Sequence, residues 1–204
     1  MNLNRRDAPA RAAWLAARAV FPGEDAVTLL HLAGTRGHLM QGRGSGTPNA
    51  WELPLDLQGL AAGTLRSRPP RAGEIEAAIE QVEDAVMPLA RHLEPGSRLV
   101  LGGDDVAPMA DLFARPPIHG SSGIDAGAGA LRGSELIGPI STAEVEELLE
   151  RLAARAQGRP VTQDALAADA LTAARIVLGR EALHHLGFEA FWILVTRTPA
   201  DEIA

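Results

Sequence analysis

The amino-acid sequence predicts a mixed α/β fold in a single domain over residues 1–204. Three observations support this prediction. Three β-rich runs separated by glycine turns follow one another between residues 25 and 60, which is the pattern of an antiparallel meander. Two later apolar runs, Arg98–Gly102 and Phe191–Val195, have the length and composition of buried strands. Helical segments with apolar stripes separate these strands. We therefore expect a mixed five-stranded sheet with helices on both faces.

The first helix is predicted over residues 7–20, where apolar residues recur at helical spacing and Asp7 stands at the N-cap position. Phe21-Pro22-Gly23 ends this pattern. The meander follows, and its first run is apolar almost throughout, as expected of a strand that is buried on both faces.

The turn between the first two strands of the meander is a candidate anion-binding site. It spans residues 33–37 and combines two glycines, small side chains, free backbone N–H groups and Arg36. Successive N–H groups in such a turn can wrap an anion. The basic connector Arg66–Arg71 is interpreted as a solvated loop, with recruitment of anions as the alternative.

A second helix is predicted over Glu74–Leu93, with a kink at Pro88. Strand Arg98–Gly102 then runs into the corner Gly103-Asp104-Asp105, and a further helix is predicted over residues 106–114. Polar groups at the carboxyl end of a strand often bind ligands in α/β folds. We interpret the two aspartates as caps of that helix, with an acid/base role as the alternative.

Residues 115–139 are rich in glycine, proline and serine without any period, and they are predicted to form a mobile surface loop. Ser141 and Glu144 form a capping box that opens the next helix. Ile140 and Val145 form the matching hydrophobic staple.

The last predicted helix spans residues 163–186 and ends at Gly187. Its many alanines allow another backbone to approach closely, so we expect this helix to lie under the sheet. His184 and His185 near its C-terminus suit the helix dipole and are interpreted as structural.

The composition excludes several classes of function. The formal charge of −7 argues against nucleic-acid binding, which needs a basic face. The chain has no cysteine, so disulfides and thiolate chemistry are excluded. No apolar run is long enough to span a membrane, and no signal-peptide core follows the N-terminal arginines. We expect a cytoplasmic protein that binds neither nucleic acid nor membrane.

Several phrases of the sequence are similar to phrases of one known family. They are Leu30–Leu39, Glu52–Asp56, Gly102–Asp104, Ile140–Glu146 and Ala167–Ala174. In this order and spacing they resemble the exopolyphosphatase/guanosine-pentaphosphate phosphohydrolase (Ppx/GppA) family, whose members have the actin-like phosphotransferase fold. The resemblance implies a single actin-like, ribonuclease H-like lobe that corresponds to the second lobe of that family.

The resemblance also implies where a phosphoryl-transfer site would lie. Family members act on phosphoanhydrides with a metal ion, carboxylates and glycine-rich loops, because phosphoryl transfer requires charge neutralisation and an aligned water. At two acidic positions of the family this sequence has His31 and His38, whereas Asp169 retains an acidic residue of the late helix. The phosphate-binding candidates are Gly34, Thr35, Arg36, Gly37, Gly102, Gly103 and Asp104.

The two histidines remove the expected magnesium site, because magnesium prefers oxygen ligands. We therefore expect no resident metal or cofactor. One alternative is a zinc site made of His31 and His38, with Asp104 or Asp105 as a third ligand. Otherwise both imidazoles are structural.

The leading hypothesis is a catalytically degenerate relative of these phosphatases that acts as a binding or assembly module. A lone lobe would expose an apolar cleft face, so we expect a homo-oligomer or a complex with a separately encoded partner lobe. One alternative is the divergent half of a split phosphoanhydride hydrolase, which would use magnesium. Another is a sensor that binds a phosphate-rich small molecule through Arg36 and Arg43 without hydrolysis.

Overall fold

The computed structural model describes residues 8–21, 26–44, 46–113, 115–119 and 134–196. Its strands are β1 (Val27–Ala33), β2 (Arg36–Gly42), β3 (Asn49–Leu53), β4 (Arg98–Gly102), β5 (Ile118–His119), β6 (Ser134–Ser141) and β7 (Ala190–Thr196). Its α-helices are α1 (Ala8–Val20), α2 (Leu57–Gly63), α3 (Ala72–Val86), α4 (Thr142–Ala156) and α5 (Ala170–Leu186). Short 3₁₀ helices span Met87–His92, Ala107–Leu112 and Val161–Gln163.

The strands of the described residues form one mixed sheet in the order β3-β2-β1-β4-β7-β6-β5. β1, β2 and β3 are the predicted antiparallel meander. β4 and β7 run parallel to β1. At the far edge, β6 runs antiparallel to β7, and β5 runs antiparallel to β6. The α/β class is therefore confirmed, but this sheet has seven strands rather than the expected five.

The two additional strands lie beyond β7. β6 pairs with β7 even though Gly138 and Pro139 interrupt its strand pattern. A register shift between Ile137 and Ile140 accommodates this pair, and Gly138 adopts a φ of 147° there. The predicted mobile loop is thus strand where it overlaps β5 and β6, whereas its residues 120–133 lie outside the described part of the chain.

Helices cover both faces of the sheet, as the sequence predicts. On one face, the fully buried Trp14 of α1 donates a hydrogen bond from Nε1 to the carbonyl of Val27 over 3.2 Å. Apolar side chains of α1 and the sheet surround it. The opposite face carries a larger apolar cluster, to which α2, α3, α4 and α5 contribute. α5 packs against the other three helices of that layer. A Cβ at its Gly179 would lie 3.3 Å from the ring of Phe191 in β7, so α5 lies under the sheet as expected.

Several helix ends follow local sequence signals. In the predicted capping box of α4, Ser141 Oγ accepts from the Glu144 N–H over 3.4 Å, and Glu144 Oε2 accepts from the Ser141 N–H over 2.9 Å. α5 ends at Gly187, which has a φ of 74°. The predicted cap Asp7 lies outside the described residues.

Some predicted helices are shorter than expected. α3 ends at Val86, because Pro88 lacks an N–H and the chain continues as a 3₁₀ helix instead of a kinked α-helix. α5 begins at Ala170 rather than at Gln163, since Asp169 caps it.

No helix in the described ranges is both long and apolar enough to cross a membrane.

Candidate functional site

Apart from Asp169, the predicted site residues lie at the sheet edge where β1 ends. His31 of β1 is paired with His38 of β2 on one side and with Gly102 of β4 on the other. Because β1 and β4 are parallel, both leave the sheet at this edge, β1 through the turn at Gly34 and β4 through the corner at Gly103. The sheet therefore assembles residues that lie far apart in the sequence.

A cavity of about 270 Å³ lies beside the two histidines. It is lined by Pro9, Ala10, His31, Ala33, Thr35, Arg36 and His38. The turn and both histidines thus border one cavity, and the first turn of α1 forms another part of its wall.

His31 is buried, and its pKa lies below the ordinary value of 6.5. Burial is the main cause, because it penalises the imidazolium, and the charge of His38 acts in the same direction. Asp104 and Asp105 oppose this shift. His31 is therefore a neutral imidazole at neutral pH and adds no positive charge that would attract a phosphate.

An internal carboxylate occupies the turn that the sequence predicts to wrap an anion. The backbone N–H of Gly34 donates to Asp105 Oδ2 over 2.8 Å. Gln58 Nε2 of α2 donates to Asp105 Oδ1 over 2.9 Å. The carbonyl of Asp105 accepts from Arg175 Nε of α5 over 2.7 Å. Asp105 is buried, and its three hydrogen bonds connect the turn, α2 and α5 to one corner of the sheet.

The prediction that the two aspartates cap the following helix is wrong. That segment is the 3₁₀ helix Ala107–Leu112, whose N-cap is Val106, and no side chain bonds to its first N–H groups. Asp105 is engaged by Gly34 instead, and Asp104 is exposed. Long-range contacts rather than helix capping shape this corner.

The glycines of the site allow segments to pack closely. Gly103 has a φ of 98°, and a Cβ there would lie 2.0 Å from the carbonyl oxygen of Leu32. At Gly37, a Cβ would lie 2.9 Å from Leu53 Cδ2. At Gly102, a Cβ would lie 3.2 Å from Leu29 Cδ1, whereas Gly34 has open space there and a φ of 69°. Packing explains three of these glycines and the backbone conformation explains Gly34, so they do not by themselves indicate a phosphate loop.

Arg36, the basic residue of the predicted site, is paired with an acidic residue. Its NH1 lies 2.8 Å from Glu52 Oε1 of β3, and both side chains are more than half exposed. An exposed pair of this kind contributes little to stability. Arg36 can therefore exchange Glu52 for an anionic ligand at little cost.

Asp169, the acidic position that the resemblance retains, caps α5. Its Oδ1 accepts from the N–H groups of Leu171 and Thr172, each at 3.0 Å, and its Oδ2 accepts from Thr172 Oγ1 at 2.7 Å. Burial alone would raise the pKa of Asp169, but the hydrogen bonds from Thr172 and Leu171 outweigh it and the pKa is lowered. These contacts favour a structural role for Asp169.

Within the described part of the chain, the two site histidines do not belong to a three-ligand metal cluster. Among the residues that the structure describes, the group of three with ligand atoms within 4.8 Å of one another is Glu83, Glu181 and His185, on α3 and α5. The zinc alternative at His31 and His38 therefore has no third ligand within that distance in the described ranges.

Sequence inspection did not identify Pro9, Ala10, Gln58 or Arg175 as parts of this region. The first two reach the cavity because α1 packs on β1 and β2. Gln58 and Arg175 reach Asp105 from helices that are distant in the sequence. No local motif marks these residues, so their contribution emerges only from the packing.

Comparisons with known proteins relate this fold to one group of solved structures. The crystal structure of the Ppx/GppA family member from Aquifex aeolicus superposes with a TM-score of 0.62 at 15% sequence identity, covering 92% of this chain and 57% of that chain. An exopolyphosphatase from Cytophaga hutchinsonii superposes with a TM-score of 0.58 at 18% identity, covering 92% of this chain and 60% of that chain. No family model and no curated protein matches the sequence.

The chain thus has a Ppx/GppA-like, actin-like α/β fold, as the resemblance implies. It spans 57% and 60% of the length of these two solved chains, which fits the second lobe alone. At such low identity the likeness extends to the fold and not to the activity.

Proposed function

We propose that this lobe is a catalytically degenerate relative of the Ppx/GppA phosphatases and acts as a binding or assembly module. The observation that carries the proposal is the hydrogen bond between Gly34 and Asp105. A phosphate-binding turn needs free backbone N–H groups, but the N–H of Gly34 is bonded to a carboxylate of the same chain. The Asp105 carboxylate accepts this hydrogen bond and carries a negative charge, as a phosphate oxygen would.

The charges around the cavity support the same proposal. Phosphoryl transfer needs cations that neutralise the phosphate oxygens in the transition state. His31 is held neutral by burial, and the described lining of the cavity contains one arginine, Arg36. Asp104 and Asp105 stand at the adjoining corner, where they would repel a phosphate. These groups suit the binding of a polar ligand or partner segment better than the cleavage of a phosphoanhydride.

The lobe works in an assembly, according to the same proposal. This chain covers 57% of the length of a solved chain of this fold. A second copy of the chain or a partner lobe would complete a cleft beside the candidate site. In the described ranges, the large exposed apolar side chains lie on separate elements: Leu15, Met87, Ile118 and Val161. A contact beside the cavity of His31 and His38 is therefore favoured over one through a broad apolar face.

Phosphate release and sedimentation of the purified chain test the proposal. We expect no release of phosphate from polyphosphate or guanosine pentaphosphate in the presence of magnesium. Magnesium-dependent release would overturn the degenerate-module proposal and favour a hydrolase, including a split one if a partner lobe is required. Sedimentation velocity at micromolar concentration is expected to show a species larger than the monomer. A monomer at that concentration would contradict self-assembly and leave the separately encoded partner.

A second candidate function is the sensing of a phosphate-rich small molecule without hydrolysis. It is favoured by the cavity, because Thr35, Arg36 and His38 line it together. Calorimetry with polyphosphate tests this function, and R36A is expected to abolish the heat of binding. The sequence hypothesis also places Arg43 in the sensor site, but Arg43 does not line this cavity. R43A is therefore the matched control, since Arg43 is also an exposed arginine paired with a glutamate, Glu94 at 3.2 Å. Equal losses in the two variants would indicate unspecific attraction and contradict a sensor site.

A further inference from the structure

Helices α3 and α5 bring two glutamates and one histidine together outside the candidate site. Glu181 and His185 are four residues apart on α5 and therefore share one face of that helix. Glu83 reaches them from α3. One ligand atom of each residue lies within 4.8 Å of the other two.

Glu181 is the buried member of this cluster, and its carboxylate is only partly satisfied. The side chain is 0% exposed, and Oε1 accepts from Arg180 NH1 over 2.6 Å. Oε2 has no hydrogen-bond donor among the described residues. A buried carboxylate oxygen without a partner is destabilising, so folded proteins normally satisfy such an atom. Its position therefore calls for a further positively charged group or ion.

His185 faces this oxygen at ion-pair distance. Its Nε2 lies 3.0 Å from Glu181 Oε2 and 3.7 Å from Glu83 Oε1, and both contacts are ion pairs if the imidazole is protonated. Glu181 Oε2 nevertheless accepts no hydrogen bond from the described residues. Two ligand atoms that are each about 2.1 Å from a tetrahedral zinc ion lie about 3.4 Å apart. The two separations at His185 Nε2 lie on either side of this value.

We propose that Glu83, Glu181 and His185 bind one divalent transition-metal ion, with zinc as the reference ion. Zinc and its first-row neighbours accept imidazole nitrogen and carboxylate oxygen as ligands. The two carboxylates match the charge of a divalent ion, and Arg180 is also paired with Glu146 of α4 at 3.2 Å. Water completes the coordination from the solvent side, where the Glu83 side chain is 40% exposed.

An ion at this position would clamp α3 to α5. The two helices pack against each other, and the ion would bind residues of both. Because it would bind the folded chain and not the unfolded chain, it would stabilise the fold. The site lies in the helical layer, away from the strand pair of His31 and His38. It is therefore independent of the phosphatase-like site that the family resemblance implies, and of the proposed function.

Calorimetric titration of zinc into the untagged, chelator-treated chain tests the site. We expect one ion per chain, and a higher Tm with zinc than with EDTA. E83Q and H185Q are expected to weaken zinc binding at least tenfold and to remove the rise in Tm. Glu83 is half-buried at the surface, so E83Q is expected to fold like the wild type.

H184Q is the matched control. The ring of His184 contacts that of His185 with 4.9 Å between the centroids, but His184 does not belong to the cluster. H184Q is expected to retain zinc affinity, and so is H38Q at the candidate site. No heat with zinc, or an equal loss in H184Q, would overturn the proposal. Loss of zinc binding in H38Q with retention in E83Q would also overturn it. If E83Q changed the Tm but zinc did not, the cluster would be an ordinary ion pair and the proposal would fail.

Discussion

The backbone N–H of Gly34 donates to Asp105 Oδ2 over 2.8 Å, so the turn after β1 is bonded to the corner after β4. In α/β folds, the polar groups at neighbouring strand ends commonly bind a ligand. Here the two ends bind each other, and Gln58 donates to the second carboxylate oxygen over 2.9 Å. A contact within the chain therefore closes the candidate site at this point.

Replacement of Asp105 measures the contribution of this contact to stability. D105A leaves the Gly34 N–H and the Gln58 amide without their acceptor in a partly buried place. We expect the free energy of unfolding, measured by urea denaturation, to fall by about 1–3 kcal/mol. D104A is the control at the exposed neighbouring position and is expected to change stability by less than about 0.5 kcal/mol. Similar losses in both variants would contradict a specific role for Asp105.

The same pair of variants tests whether the internal carboxylate blocks anion binding. D105A frees the Gly34 N–H, so calorimetry is expected to show tighter polyphosphate binding than in the wild type. D104A removes a charge from the same corner without freeing that N–H. If only D105A binds polyphosphate more tightly, the hydrogen bond to Gly34 blocks anion binding in the wild type. If both variants gain the same affinity, the effect is due to net charge alone. Circular dichroism confirms that each variant is folded.

The arrangement around Asp105 illustrates what the sequence does not predict. Its partners Gly34, Gln58 and Arg175 are 71, 47 and 70 residues away, so no local pattern contains them. A local pattern favours helix capping instead, and that interpretation is wrong. The pairing of His31 with His38 differs, because it follows from a single tight turn and the sequence predicts that the two residues come close.

The same contrast explains the strands. Gly138 and Pro139 are typical turn residues, and only the pairing of β6 with β7 around a register shift makes their segment a strand. The capping box of Ser141 and Glu144 depends on residues three positions apart, and it forms as predicted. Patterns confined to one element thus reveal the α/β class and the meander, whereas the edge strands and the site corner depend on contacts between elements.

The capping box predicts a measurable loss of stability. S141A removes the hydroxyl that accepts from the Glu144 N–H, so we expect the free energy of unfolding to fall by about 1 kcal/mol. S141T is the control, because threonine keeps a hydroxyl at the cap and is expected to cost only a few tenths of that amount. Urea denaturation measures both. Equal losses would show that the hydroxyl itself is unimportant.

The ion pair of Arg151 and Asp164 makes stability depend on pH in the acid range. Arg151 NH2 lies 2.6 Å from Asp164 Oδ1, and the pKa of Asp164 is lowered from 3.8 to about 2, chiefly by the hydrogen bonds from Arg151 and then by that from the Leu166 N–H. The folded-state pKa thus lies below the unfolded one. The stabilisation is therefore present above the unfolded value and is lost as the pH falls through about 2.

R151M tests this dependence by urea denaturation at a series of pH values. The difference in unfolding free energy between the wild type and R151M is expected to be largest near neutral pH and to shrink towards about pH 2. R159M is the control, since Arg159 NH1 lies 3.9 Å from Asp164 Oδ2 and is expected to show a smaller difference. A difference for R151M that is constant with pH would contradict the assignment to Asp164.

Gly103 is required at the site corner for two reasons that a pair of variants separates. Its φ is 98°, and a Cβ there would lie 2.0 Å from the Leu32 carbonyl oxygen, whereas Gly96 has a φ of 76° with open space around a Cβ. G96A thus measures the cost of the left-handed backbone alone, expected to be about 1–2 kcal/mol. G103A adds a collision that is relieved only if the corner moves away from β1, so we expect a loss beyond about 3 kcal/mol in urea denaturation. If G103A were no less stable than G96A, the corner would be free to shift, and the hydrogen bond of Asp105 to the turn would not hold the two strand ends in place.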